Sequence, residues 1–176
     1  EEWEEELLVK AEATEFRAAV ARLNFLSQDS PELQYPAKEI SQEMANPKIG
    51  AWKRVKRVSR YLLGREAVIW DYPWQDEGFD METAADSDWG GRRGSRKSTS
   101  GGCIKIGRHC IKTWATTQGA VALSSAEAEF YAMIEAVIRA KGLLSTMQEM
   151  GYPASEGGLN CTRTAVQRRA LCLDEA

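Results

Sequence analysis

Two short runs in this sequence place carboxylates where chemistry can use them. Ala84-Ala85-Asp86-Ser87-Asp88-Trp89 sets two acids at the end of an extended-looking segment, and Ser124-Ser125-Ala126-Glu127-Ala128-Glu129-Phe130-Tyr131-Ala132 sets two more at a helix start. Acids converging from a strand end and a helix N-terminus suit hard divalent cations, which take oxygen ligands. Two such ions about 4 Å apart hold both the attacking and the leaving oxygen of a phosphodiester displacement. Each acid also has a plainer reading. Ser124 followed by Glu127 fits a capping box, which gives Glu127 a structural task at its own helix terminus. Asp86 and Asp88 could equally be solvated groups flanking a turn. Glu129 is harder to explain as surface. It shares a helical face with Ala132, Met133, Ala136 and Ala140, small residues that let a helix lie close to a sheet.

The elements that must position these acids follow from periodicity and punctuation. Residues 81–87 read as a strand leading into Asp86. Gly90 to Gly102, rich in Gly, Ser and Arg, reads as a loop or hairpin. Residues 103–106 and 109–115 alternate around Gly107-Arg108 and predict a β-hairpin. Ser124–Met150 is the clearest helix, with Phe130, Met133, Ile134, Val137, Ile138 and Leu144 as its expected apolar face, stopped by Gly151-Tyr152-Pro153. Upstream, Phe16, Val20 and Leu23, extended by Phe25 and Leu26, recur at helical spacing within 11–29. A second helix is expected over 32–45, with Pro31 at its first position. A third covers 48–63 and closes on Gly64. Residues 66–72 read as a strand, and the domain boundary is expected in the polar stretch that follows.

Composition sets limits on partners. The formal net charge of −3 argues against a nucleic-acid binder as a whole, but the distribution is uneven. Lys53, Arg54, Lys56, Arg57 and Arg60 cover much of the third helix, and Arg93, Arg96, Lys97 and Ser98 lie in the Gly-rich loop. These are the candidate phosphate contacts, beside the plainer reading of a solvated charged face. With a single histidine, His109, and no CxxC pair, a Cys/His zinc site is not expected. Cys103 and Cys110 are expected as reduced thiols packed in strands. No apolar run approaches the ~20 residues of a membrane span, so no membrane partner is expected. The cysteines read as reduced intracellular thiols, with cytoplasm and nucleus both left open, and the absence of an initiator Met suggests a piece of a longer protein.

Residues 85–91 (Ala-Asp-Ser-Asp-Trp-Gly-Gly), 96–102 (Arg-Lys-Ser-Thr-Ser-Gly-Gly), Trp114, Gln118 and 121–130 (Val-Ala-Leu-Ser-Ser-Ala-Glu-Ala-Glu-Phe) resemble, in order, type and spacing, the ribonuclease H segment of copia-type retrotransposon pol polyproteins. Thr14-Glu15-Phe16-Arg17, Leu23-Asn24-Phe25-Leu26, Pro31-Glu32-Leu33, Asn46-Pro47 and residues 52–64 resemble the C-terminal end of the reverse transcriptase in the same polyproteins. The resemblance implies an α+β fold: a ribonuclease-H-like mixed sheet with flanking helices, incomplete at its C-terminus, behind a small helical remnant. It divides the chain into residues 1–72, 73–162 and a tail, 163–176. It implies hydrolysis of RNA in RNA–DNA hybrids with two Mg²⁺ ions, Asp86 and Glu129 serving as catalytic and metal-binding carboxylates. The partners it implies are an RNA–DNA hybrid and the rest of the pol polyprotein.

One departure bears on activity. The family's third carboxylate is expected at the end of a fourth strand, just after Leu159-Asn160, and the sequence there reads Cys161-Thr162-Arg163-Thr164-Ala165-Val166. Asp174 and Glu175 come too late to replace it. Permitted codons for Arg163–Ala176 can be chosen so that a frame starting at the third base reads Asp-Ser-Ser-Ala-Ala, matching the Asp-Ser-x-x-Ala pattern the family places here. The tail is therefore expected to be frame-shifted and the fragment inactive alone. The alternative is a degenerate, non-catalytic domain that binds nucleic acid weakly or has no function.

Overall fold

In the computed structural model, which describes residues 5–65, 67–75, 80–91, 94–152 and 159–163, the chain forms two compact units, Glu1–Trp70 and Asp71–Ala176. The division falls two residues before the expected one.

The first unit is helical: α1 (Lys10–Leu26), α2 (Pro31–Ser41) and α3 (Ile49–Leu63). Phe16, Val20 and Leu23 from α1 meet Leu33, Ala37 and Ile40 from α2 and Ala51 and Val55 from α3 in one core. The spacing of these residues is the amphipathic repeat of a helix packed on one side. Pro31 occupies the start of α2, where its missing N–H costs nothing. Phe25 and Leu26, which spacing alone adds to the buried face of α1, are exposed, because α1 ends at Leu26 and the core stripe closes at Leu23. The strand expected at 66–72 is not formed by its described residues, 67–72. Side chains rather than a backbone ladder tie this stretch and the residues after it. Trp70 Nε1 donates to the Asp29 carbonyl within the first unit. In the second, Gln75 Nε2 donates to the Ile106 carbonyl and the His109 ring bonds the Pro73 carbonyl. Pro73 also lacks the N–H that a strand ladder needs.

The second unit is a four-stranded mixed sheet under one long helix. Its strands are β1 (Met81–Asp88), β2 (Thr99–Ile106), β3 (His109–Thr117) and β4 (Leu159–Arg163), in the order β3-β2-β1-β4, and α4 spans Ser125–Glu149. β1 pairs antiparallel with β2, and β2 with β3; β4 runs parallel to β1 with Met81 opposite Leu159 and Ala85 opposite Arg163. The β2–β3 hairpin turns on Gly107, whose φ of 56° is one that glycine adopts without a Cβ penalty. Cys103 lies buried in β2 and Cys110 half-buried in β3.

β1 alternates: Met81, Thr83 and Ala85 are buried while Glu82 and Asp86 are exposed. The buried side faces α4, whose seam is Ala128, Ala132, Ala136 and Ala140, an i, i+4 row. Met81, Ala85, Ile104 and Trp114 complete that core with the last three alanines. Here the expected helix face is corrected. Phe130, Ile134 and Ile138 are 59%, 39% and 64% exposed, so these three point outward and the alanines inward, while Met133 and Val137 are half-buried and Leu144 packs against the core as expected. The reason is the sheet itself. The Trp114 indole already lies over Gly102, so the helix must approach with a thin edge. Among the described residues, no helix is long and apolar enough to cross a membrane.

Candidate functional site

The C-terminal end of β1 and the N-terminal end of α4 share one end of the second unit. Trp89 Nε1, just past β1, donates to the carbonyl of Ala122, just before α4. Gln118, just past β3, donates from Nε2 to Ser100 Oγ on β2 at 3.0 Å and to the Ala128 carbonyl in the first turn of α4 at 2.7 Å. Ser100 stands opposite Ser87, the neighbour of Asp86.

The four acids divide by what surrounds them. Asp86 is exposed on the face of β1 that alternates away from Ala85 and α4. Asp88 is taken up by the turn that follows it. One of its carboxylate oxygens accepts the Thr99 N–H, and the carboxylate lies against Gly91, where a Cβ would collide with it. Glu127 turns back to its own helix terminus as expected, in a variant of the capping box whose return bond reaches Leu123, one residue before the N-cap. Ser124 Oγ accepts the Glu127 N–H at 3.2 Å, while the Glu127 carboxylate accepts the Leu123 N–H at 2.7 Å and the Tyr131 hydroxyl at 2.7 Å. The Tyr131 hydroxyl first, and the Leu123 N–H second, hold this carboxyl below the ordinary glutamate range.

Glu129 is half-buried, one of its carboxylate oxygens is shielded from solvent, and Ser125 Oγ lies 3.4 Å from the other. Its direction follows from helical spacing. Glu135 and Arg139 leave the alanine seam on one flank. Glu135 accepts the Thr116 hydroxyl on β3, and the Arg139 guanidinium lies 5.1 Å from the Trp114 ring centroid. Glu129 leaves the seam on the opposite flank. With the strand order β3-β2-β1-β4, that flank faces β1 and β4. The parallel register brings the end of β4 beside Asp86, since Ala85 is paired with Arg163. Asp86, the end of β4 and the flank carrying Glu129 therefore lie at one end of the unit, with Asp86 on the sheet face turned away from α4. Among the described residues, no group of three or more His, Cys, Asp or Glu side chains could hold a metal ion.

The basic candidates also separate. On α3, Lys53, Arg54, Lys56, Arg57 and Arg60 are all exposed; Arg54 is ion-paired with Glu43 and Lys56 lies 5.6 Å from the Trp52 ring centroid. In the second unit, Arg96 is exposed and Lys97 half-buried, and Arg93 lies outside the described residues. Ser98 is fully buried and accepts the Gly90 N–H, so its hydroxyl belongs to the turn and is not offered to a phosphate. Neither composition nor spacing singles out Gln118 and Ser100. Both lie among the residues that carry the resemblance, but a glutamine after a strand has no periodic signal, and what its amide bonds shows only in the fold.

No family model and no solved structure matches the chain. It is 30% identical over 143 residues to the "Retrovirus-related Pol polyprotein from transposon RE2" of Arabidopsis thaliana, covering 81% of this chain and 10% of that one. An uncharacterized mitochondrial protein of the same plant is 31% identical over 122 residues, 68% of this chain and 50% of its own length. The "Secreted RxLR effector protein 161" of Plasmopara viticola is 33% identical over 106 residues, 60% of this chain and 74% of its own length. The chain thus spans about a tenth of the polyprotein and half of the mitochondrial relative.

Proposed function

This chain belongs to the Pol polyproteins of copia-type retrotransposons, and on that premise we propose that its first unit derives from the end of the reverse transcriptase and its second from the ribonuclease H. One observation carries the second assignment. Three antiparallel strands, a long helix and a fourth strand parallel to the first bring Asp86 and the Glu129 flank to one end of a mixed sheet. A carboxylate-based phosphodiesterase draws its acids from such elements, a central strand end and a helix start.

The two Mg²⁺ ions implied by the resemblance do not fit the residues present. Each ion demands a nearly complete octahedron of oxygens, and no third acid joins Asp86 and Glu129 among the described residues. The sequence of β4 and the residues after it, Leu159 to Val166, contains no carboxylate. We derive no hydrolytic step, and propose that this segment engages an RNA–DNA hybrid without cutting it. Lys53, Arg57 and Arg60 on α3, and Arg96 and Lys97 in the second unit, are the proposed phosphate contacts.

A hybrid-cleavage assay in MgCl₂ tests the proposal. The 176-residue chain is expected to cleave at background rate. A frame-restored chain with downstream sequence is expected to cleave in a manner that Asp86→Asn abolishes. Robust cleavage by the present chain, lost in both Asp86→Asn and Glu129→Gln, would refute the inactivity while upholding the site.

A further inference from the structure

We propose that Gln118 is a positioning residue for Glu129. The claim rests on the ribonuclease H reading for its significance but not for its geometry. Gln118 is 7% exposed, and its backbone N–H is fixed to the Ser98 carbonyl at 2.9 Å. Its Nε2 has two acceptors, Ser100 Oγ and the Ala128 carbonyl. A backbone carbonyl cannot donate, so the Ala128 contact fixes which amide atom is nitrogen. The carbonyl of Ala128 and the nitrogen of Glu129 belong to one planar peptide unit. Gln118 therefore clamps the peptide plane from which Glu129 departs, and ties it through Ser100 to the strand position opposite Ser87.

A purely stabilising role explains this residue poorly. Its Oε1 is buried and, among the described residues, has no protein partner. An unpaired buried acceptor is costly, so the amide does not maximise stability at this position. The polar amide adds a direction: it fixes the height and rotation of the first turn of α4 over the sheet. A second side-chain hydrogen bond between this part of the sheet and α4, Thr116 Oγ1 to Glu135 at 2.8 Å, lies nearly two turns further along the helix and on the opposite flank.

The test uses the full chain with ¹³C-labelled glutamate carboxyls and ¹⁵N amides. Gln118→Leu removes the clamp, and Thr116→Val removes the other tie as a control. The expected result is a displaced Glu129 carboxyl resonance in Gln118→Leu, with that of Glu135 unmoved. Amide exchange should rise at least tenfold more over residues 128–132 than over 136–146. Thr116→Val should displace Glu135 and leave Glu129 in place. An unmoved Glu129 resonance in Gln118→Leu, or equal loss of protection along all of α4, overturns the proposal. If Gln118→Leu does not fold, Ser100→Ala, which removes only the strand anchor, is judged by the same two signals. Titration with MnCl₂ separates this claim from the site reading. Broadening near Asp86 and Glu129 together supports the shared site. Its absence counts against that site and leaves the carboxyl-resonance result to decide the role of Gln118.

Discussion

Gly102→Ala measures how tightly the helix-facing side of the sheet is built around one indole. A Cβ at position 102 would stand 2.3 Å from Trp114 Cζ2, 2.8 Å from Cε2 and 2.7 Å from the Ala84 carbonyl oxygen. Neither neighbour has somewhere to go. Trp114 is 6% exposed, packed among Ile104 and the α4 alanines, with the Arg139 guanidinium over its ring. The Ala84 carbonyl belongs to the strand that pairs with β2. Overpacking a filled core costs about 1–3 kcal/mol, and a clash with backbone as well as a ring puts this case near 3 kcal/mol. The adjacent glycine is the control, since a Cβ at Gly101 meets nothing nearer than the Trp114 carbonyl oxygen at 3.9 Å. Gly101→Ala should be neutral or gain up to about 1 kcal/mol through the unfolded chain. For a unit of this size each kcal/mol moves Tm by roughly 4–8 °C, so Gly102→Ala should lower it by roughly 12–24 °C while Gly101→Ala barely shifts it. The Trp114 indole N–H resonance followed with temperature reports on the second unit alone. Equal melting of the two variants would refute the steric reasoning.

Tyr131→Phe removes the main cause of the low Glu127 pKa. Because that carboxyl is depressed in the fold, its contribution holds above the ordinary glutamate range and fades as pH falls through the lowered value. The variant should begin to lose it at higher pH, seen by carboxyl NMR titration; an unchanged Glu127 titration would count against the assignment. Arg139→Ala forfeits two hydrogen bonds to Glu135 and the cover over Trp114, at a cost of about 1–2 kcal/mol in urea unfolding. A loss under about 0.3 kcal/mol would show the cluster to be ornamental. Replacing Arg57 and Arg60 by Gln should weaken binding to an RNA–DNA hybrid and flatten its salt slope by up to about 2 units, roughly 0.9 for each phosphate left without its cation. Binding unchanged by the pair would leave α3 a solvated face.

The helices of the first unit were legible because their core residues recur at one spacing and Gly64 marks an end. The β2–β3 hairpin was legible because alternation flanks a Gly-containing turn. What misled was size. Phe130, Ile134 and Ile138 are large apolar residues of the first half of α4, yet there a sheet face already filled by Trp114 admits the alanines, and large residues join the core only further on, at Leu143, Leu144 and Met147. The 66–72 segment, with Val68, Ile69, Trp70 and Tyr72, reads like a strand, but Pro73 and side-chain bonds from Trp70 and Gln75 hold the region otherwise. Asp86 and Glu129 were legible as acids at element ends. The flank on which Glu129 leaves its helix was not, because it depends on strand order, which no local pattern encodes.

The parallel pairing of β4 with β1 also sets an order of events. β1, β2 and β3 are joined by short connections and can associate as soon as they are made. β4 must close a loop of roughly 80 residues before its first backbone bond forms, and loop-closure entropy makes such pairings slow. Until then the outer edge of β1, from Met81 to Ala85, presents unpaired N–H and C=O groups to any extended chain nearby. The window in which copies of this chain can join edge to edge is thus the interval before β4 docks. Faster docking of that one strand, rather than a more stable helix, is what would shorten it.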